Sequence, residues 1–496
     1  MAHPTSERLL LPLLTVLLLA CCSCANNPTT RRAPNIVLIV ADDLGYGELG
    51  SYGQRLIKTP RLDELAAEGL RFSQFYSGSP VCAPARCTLL TGLHTGHAAI
   101  RDNDEMGDRG DVWNDPALEG QRPLPEGTVT LAHQLQSAGY ATAFVGKWGL
   151  GWTASSGDPN AQGFDHFYGY ICQREAHNYY PTHLWDDGES VPLDNPAYSP
   201  HQRLPDDADP NDPASYAGFA GNDYAPDLMI EDALSFVRAQ GDEPFLLTFA
   251  TPVPHLALQV PDDSLAAYAS SFDERPYVGG AGYLPHRQPR AAYAAMISRM
   301  DRDVGRLLDL LDEQGLAEDT LVLFTSDNGP SWVGGVDLEY FESSGGLRGR
   351  KAQLYEGGLR VPLLARWPGV IAPGSTSDHV SAFWDVLPTV LDAVGTSAPS
   401  GLDGVSFLPT LRGTSAEQLT HAALYWEHAR RHQAVRMGDW KAVRHHPDKA
   451  LELYDLAADP AEAHDLAAQN PAIVARMQAL MAELRTPSQH FPLAGE

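Results

Sequence analysis

NIVLIVADDLG, residues 35–45, is the stretch from which the fold is read. Ile36 to Val40 form a short, continuous, largely β-branched run that ends in two carboxylates, Asp42 and Asp43. A strand with no polar residue has to be covered on both faces, the situation inside a parallel sheet sandwiched between helices. Three runs of the same kind follow: ATAFVG from 141, PFLLTFA from 244 and TLVLFTSDNG from 320. Helical patterns with clear ends separate them. TPRLDELAAEGLRF starts with Thr59 as N-cap and Pro60 at the first helical position, and Gly69 stops it. TVTLAHQLQSAGY stops at Gly139, and the long amphipathic AAYAAMISRMDRDVGRLLDLLDEQGL stops at Gly315. Strands alternating with helices predict an α/β sandwich around a large, mostly parallel mixed sheet.

Working outward, residues 151–225 read as irregular chain rich in Asp, Pro, Tyr and His, of the kind that builds binding loops. From about residue 413 the texture changes to AALYWEH, HQAVRMGD, WKAVRHH and LELYDLAAD, short strand-like pieces separated by turns, and then a helix over about 470–485. These predict a small C-terminal α+β domain with an antiparallel sheet. The expected organisation is a leader and linker over 1–33, a main domain over 34–412 and the α+β subdomain over 413–496.

At the N-terminus Arg8 precedes an apolar run from Leu9 to Ala20. That run is too short to span a bilayer and fits the core of an export signal. Leu18-Leu19-Ala20-Cys21 resembles a lipoprotein cleavage box, although Leu19 is not the usual small residue. The protein is therefore expected to be exported: periplasmic, secreted, or held at the cell surface by a lipid on Cys21. A formal net charge of −28, from 35 Lys and Arg against 63 Asp and Glu, argues against a nucleic-acid partner and against docking on anionic lipid. Beyond the leader only Cys82, Cys87 and Cys172 remain. An odd number in an exported chain leaves one thiol that needs a chemical explanation.

In an open α/β sheet, ligands bind beyond the carboxyl ends of the strands. Those ends carry Asp42-Asp43, Lys147-Trp148, His255 and Asp327-Asn328. Adjacent carboxylates and an Asp-Asn pair offer hard oxygen ligands suited to Ca²⁺ or Mg²⁺. Cys82 opens VCAPARCTLLTG, residues 81–92, where Pro84 pre-sets a helical turn and Arg86 lies one turn on. A helix start favours an anion at that point.

CAPAR followed by TLLTG resembles the C-x-P-S-R signature of the type I sulfatases, in which the cysteine is oxidised during export to Cα-formylglycine. The resemblance extends through PNIVLIVADDLGYGELGSYG, GKWGLG, PHLALQVP, TSDNGP, LRGRKAQLYEGGLRVP and LYDLAADPAEAHDL, almost the whole chain after the leader. It implies an alkaline-phosphatase-like fold and a formylglycine nucleophile made from Cys82 by a maturation enzyme. It further implies a calcium ion held by Asp42, Asp43, Asp327 and Asn328, with modified Cys82 completing the shell. Arg86 matches the residue that holds the formylglycine, Lys147 and Lys351 those that grip the sulfate, and His255 the acid for the leaving alcohol. Two departures stand out: Ala85 replaces the usual Ser, and Gly149 replaces a histidine that contacts the hydrated aldehyde. The loop GFDHFYGYICQREAHNYYP, which carries His166 and His177, is expected to supply the missing imidazole, from His177 first.

Relatives of the same fold with two zinc ions carry an Asp-His pair where this chain has Asp327-Asn328. The remaining alternatives are a formylglycine-dependent phosphate or phosphonate monoester hydrolase and a non-catalytic sugar-binding relative. Tyr, His and Trp in 151–225, with His94, His97, Arg101 and Asn103 near the nucleophile helix, suit the apolar faces and hydroxyls of sugars. The expected substrate is one terminal sulfated sugar, of galactose type, taken exo into a pocket.

Overall fold

The computed structural model describes residues 1–2, 33–106, 109, 116–241, 243–280 and 282–496. The expected export signal and Cys21 lie outside the described residues. The main sheet consists of β1 (Asn35–Ala41), β2 (Leu70–Tyr76), β3 (Ala141–Lys147), β4 (His166–Tyr170), β5 (His183–Asp186), β6 (Glu189–Pro192), β7 (Phe245–Ala250), β8 (Thr320–Ser326), β9 (Arg360–Arg366), β10 (Ser375–Ser377) and β11 (Ser381–Ala382). Its order is β10-β2-β9-β8-β1-β7-β3-β4-β5-β6, with β11 beside β2. The centre, β8-β1-β7-β3-β4, is parallel. β9 runs antiparallel to both β8 and β2, which makes the sheet mixed.

β1 lies at the centre because nothing in it tolerates water. Val37, Ile39 and Ala41 face one core, and Ile36, Leu38 and Val40 face the other. Each such side chain gains about 1.5–3 kcal/mol on burial, so a strand apolar on both sides is driven between two helical layers. One layer holds α1 (Pro60–Glu68), α4 (Ala225–Ala239) and the helix Pro289–Glu313; the other holds α2 (Cys82–Thr91), α3 (Leu131–Ser137) and the helix Val386–Ala393. Because β1, β3, β7 and β8 are parallel, their carboxyl ends reach one edge of the sheet, and α2 begins there.

Residues 151–225 depart from the irregular chain expected of them. They supply β4, β5 and β6, three strands of the main sheet. The hairpin between β5 and β6 turns on Asp187 and Gly188, both at positive φ (45° and 87°), the twist a two-residue hairpin requires. That Asp-Gly pair was the available signal.

The C-terminal region forms an antiparallel sheet of β12 (Leu424–His428), β13 (His432–Met437), β14 (Trp440–Arg444) and β15 (Glu452–Asp455). The helix Pro471–Glu483 lays Met477, Leu480 and Met481 on one face of it. The other face packs on Tyr76 and Trp384. No helix among the described residues is long and apolar enough to cross a membrane.

Candidate active site

Each group in the cluster is delivered by a strand end or a helix start. β1 runs into Asp42 and Asp43, and β8 into Asp327 and Asn328. The two ends are knitted by Asp327 N–H donating to Ala41 O (2.9 Å) and Asp43 N–H donating to Asp327 Oδ1 (3.1 Å). Asp43 has φ 67°, a backbone region uncommon outside glycine that tends to mark working sites. Cys82, the first residue of α2, places Sγ 3.4 Å from Asp42 Oδ1. Lys147, the last residue of β3, pairs with Asp42 and lies 3.9 Å from Cys82 Sγ. Lys351, from the loop ahead of β9, lies 2.7 Å from Asp43 Oδ1 and 3.4 Å from Cys82 Sγ. Two ammonium groups therefore flank the sulfur. His255, beyond β7, donates Nδ1–H to Leu256 O (2.6 Å), which leaves Nε2 facing Asp43 Oδ2 at 3.6 Å.

The electrostatics are set by burial and by charges crowded within a few ångströms. Burial first, and then the charge of Asp42, pushes the Asp327 carboxyl up to about 8. For Asp42, burial is outweighed by the ammonium groups of Lys147 and Lys351, which hold it well below the carboxylate range. Burial and Asp42 push the Cys82 thiol well up, the reverse of what a thiolate nucleophile needs. Burial and the two lysines hold His255 well below its usual value, so the imidazole rests neutral. Asn328 gives Nδ2–H to Asp43 Oδ1 (2.7 Å) and to Gly329 O (2.9 Å), while its buried Oδ1 has no hydrogen-bond partner among the described residues. Asp42, Asp43, Cys82 and His255 each bring a ligand atom within 4.8 Å of the others. Carboxylates crowded beside an orphaned amide oxygen fit a hard divalent cation.

Arg86 does not reach back to Cys82. It donates Nη1–H to Asp327 Oδ2 (3.0 Å), Nε–H to Trp148 O (2.8 Å) and Nη2–H to Gln173 Oε1 (2.8 Å). His177 stacks on His255 (ring centroids 4.7 Å apart, planes at 14°), with Tyr283 edge-on to both rings. His166 belongs elsewhere, between Asp187 (3.2 Å) and Asp232 (2.8 Å) at the start of β4. His94 and Arg101, expected at the substrate, are spent on other contacts. Arg101 is buried against Ala98 O (3.0 Å), Glu427 (3.3 Å) and Thr486 O (2.9 Å), toward the C-terminal sheet. His94 and its neighbour His97 stack together beside Asp403. Asn103 does meet the nucleophile helix, accepting Ala83 N–H at 3.1 Å. Cys82 and Cys87 are buried free thiols; Cys172 is buried too, and Gln121 Nε2–H donates to its Sγ (3.2 Å). Gln173 was missed by sequence reasoning, and only the unexplained gap at Gly149 hinted at it.

The sulfatase family profile matches residues 34–396, and that of the C-terminal region of N-sulphoglucosamine sulphohydrolase matches 350–487. Human arylsulfatase A is 35% identical over 435 residues, covering 87% of this chain and 78% of that protein. Dog N-acetylgalactosamine-6-sulfatase is 30% identical over 453 residues, covering 89% and 76%. The solved structure of Ps i-CgsB in complex with k-i-k-neocarrahexaose superposes with a TM-score of 0.71 at 25% identity, covering 91% of this chain and 92% of that one.

Proposed function

The chain belongs to the sulfatase family and is a sulfuric ester hydrolase, and from that premise we propose that it removes sulfate from a terminal sugar at the Cys82 cluster. The observation that carries the reading is Cys82 Sγ at a helix start, with Lys351 at 3.4 Å, Lys147 at 3.9 Å and Asp42 at 3.4 Å. Converted to formylglycine, residue 82 would supply the hydrated-aldehyde oxygen that attacks sulfur. Asp42, Asp43, Asp327 and Asn328 would hold a Ca²⁺ ion, whose chemistry there is to neutralise charge on the transferred group.

The chain's own residues do the rest. Lys147 and Lys351, on either side of residue 82, neutralise the sulfuryl oxygens as charge redistributes. Arg86, fixed by Asp327, Trp148 O and Gln173, keeps a permanent positive charge beneath them. His255 rests neutral with its one proton on Nδ1 and held by Leu256 O, so its bare Nε2 first takes the proton given up by the attacking hydroxyl and then delivers it to the leaving oxygen as the bond from sulfur breaks, which turns that oxygen into an alcohol.

The sugar assignment draws on the chemistry of the rim. His177 and Tyr283 beside His255 offer ring faces and polar tips to a pyranose. Ps i-CgsB, similar in fold and in most of its length, is seen in complex with k-i-k-neocarrahexaose. A galactose-type sugar is the reading we favour. The test is a panel of sulfated saccharides alongside an aryl sulfate and an aryl phosphate, with enzyme made together with a maturation enzyme. Release from chain ends of sulfated galactosides is expected. Turnover of the phosphate above the sulfate would favour the phosphomonoester hydrolase, and hydrolysis of the aryl sulfate alone would end the sugar assignment.

A further inference from the structure

Gly149 and Gln173 are fitted to each other. Trp148 N–H donates to Tyr170 O (3.0 Å) and Gly149 N–H to Ile171 O (3.2 Å), so the β3/β4 pairing runs on past both strands and brings residue 173 over residue 149. Gly149 sits at φ 71°, where a side chain is strained. A Cβ there would lie 2.9 Å from Gln173 Cβ, 3.1 Å from Gln173 Oε1 and 3.0 Å from Arg86 Nη2. The Gln173 carboxamide thus fills the volume a side chain at 149 would take. Gln173 is 3% exposed, and its backbone N–H donates to Gln121 Oε1 (2.8 Å).

The two ends of that carboxamide are used unequally. Oε1 accepts from Arg86 Nη2 at 2.8 Å. No hydrogen bond among the described residues uses Nε2, and Nε2 is not among the sealed, unpartnered buried atoms either. An amide with its acceptor committed to Arg86 keeps two N–H donors to offer, beside a cluster whose reaction develops negative charge.

We infer that Gln173 is a further residue of the reaction site: its Oε1 fixes Arg86, and its Nε2–H donates to an oxygen of the bound sulfuryl group. This rests on the sulfatase reading and deepens it. The donor transfers no proton; it strengthens its hydrogen bond as the bond from sulfur to the leaving oxygen breaks.

The experiment compares wild type with Gln173→Glu and Gln173→Met, all made with the maturation enzyme, on an aryl sulfate and with inorganic sulfate as competitive inhibitor. Gln173→Glu keeps the side chain's length and an acceptor for Arg86, but turns the donor into a negative oxygen. Gln173→Met keeps the volume and removes both functions. Both are expected to melt close to wild type and to lose about 100-fold in kcat/KM, the usual cost of one such donor. Gln173→Glu should also weaken inhibition by sulfate at least about tenfold, an effect a space-filling role would not produce. Folded variants that keep wild-type kcat/KM and sulfate inhibition overturn the inference and leave the sulfatase reading intact. A wild type that releases sulfate from no ester overturns both.

Discussion

Two regions of the molecule bury charge, and they do so for opposite ends. Beside the C-terminal sheet, Lys441 on β14 lies 2.9 Å from Glu356 and 3.0 Å from Glu462, all three side chains being 0% exposed. Glu356 also accepts from Tyr76 O–H (2.7 Å), and Glu462 accepts Glu356 N–H (2.6 Å). Burial works against the Glu356 charge, but Lys441, Arg360 and Arg436 outweigh it and keep that carboxyl below its ordinary value. The partners of this cluster come from the chain and tie β14 to the segment that follows Lys351, although burial still pushes the Glu462 carboxyl up to about 7. At the carboxyl edge of the main sheet the same residue types are left open. Asp327 is pushed up to about 8, Asn328 Oδ1 has no hydrogen-bond partner among the described residues, and the lysines share their carboxylates with Cys82. Buried charge that completes itself holds structure together; buried charge that does not is poised for a ligand.

The contrast breaks most sharply at the open cluster. Cys82→Ala and Asp327→Ala are each expected to lower sulfate release at least about thousandfold while the melting temperature stays within a few degrees. A variant that fails to fold would make this cluster structural as well. Peptide mass spectrometry of active enzyme should find an aldehyde at residue 82, and an intact thiol throughout would refute the modified nucleophile. Chelation should abolish activity and added Ca²⁺ restore it, with about one equivalent of calcium by metal analysis. Stoichiometric zinc would move the protein toward the phosphatase reading. At the Lys441 cluster the effect should be the reverse: Lys441→Met strands two buried carboxylates and should cost about 3–5 kcal/mol of stability. Measured on the fraction still folded, kcat should change less than about twofold; a larger fall would mean the C-terminal sheet takes part in catalysis. His177→Ala should cost about tenfold in kcat/KM for a sulfated saccharide, close to 1.4 kcal/mol, and less for an aryl sulfate. Equal turnover of the saccharide would remove His177 from the site. The smallest effect belongs to Asp63, which accepts Ser51 N–H (2.6 Å) beside the start of α1. Asp63→Ala should lower stability by no more than about 1 kcal/mol, read by denaturant titration, and leave activity unchanged.

Legibility followed the physics of each segment. The strands β1, β3, β7 and β8 are apolar runs broken by charge, so both the parallel centre and the groups at its edge could be read before any contact was known. Lys351 has no such frame and rested on resemblance alone. Nearness to Cys82 in sequence says nothing of direction: the chain beyond α2 turns Arg101 toward Glu427 and Thr486, and His94 lies beside Asp403. The strands β4 to β6 are short, and their Asp-Gly turn was obscured by the many Asp and Pro around it.

What the sequence determined by itself is therefore the local arithmetic: which runs must be buried on both faces, which carboxylates follow them, and that Cys82 opens a helix. Residue types and spacing are enough for that, because burial and helix capping act on neighbours in the chain. What only the tertiary structure decided is how distant groups divide the space between them. Gly149 reads as a gap and Gln173 as an ordinary loop residue until the β3/β4 register lays one over the other. Lys441 reads as a surface lysine of an edge sheet until Glu356 and Glu462 close around it. Volume exclusion and charge pairing act between residues far apart in sequence, and a partner chosen that way leaves no local pattern to read.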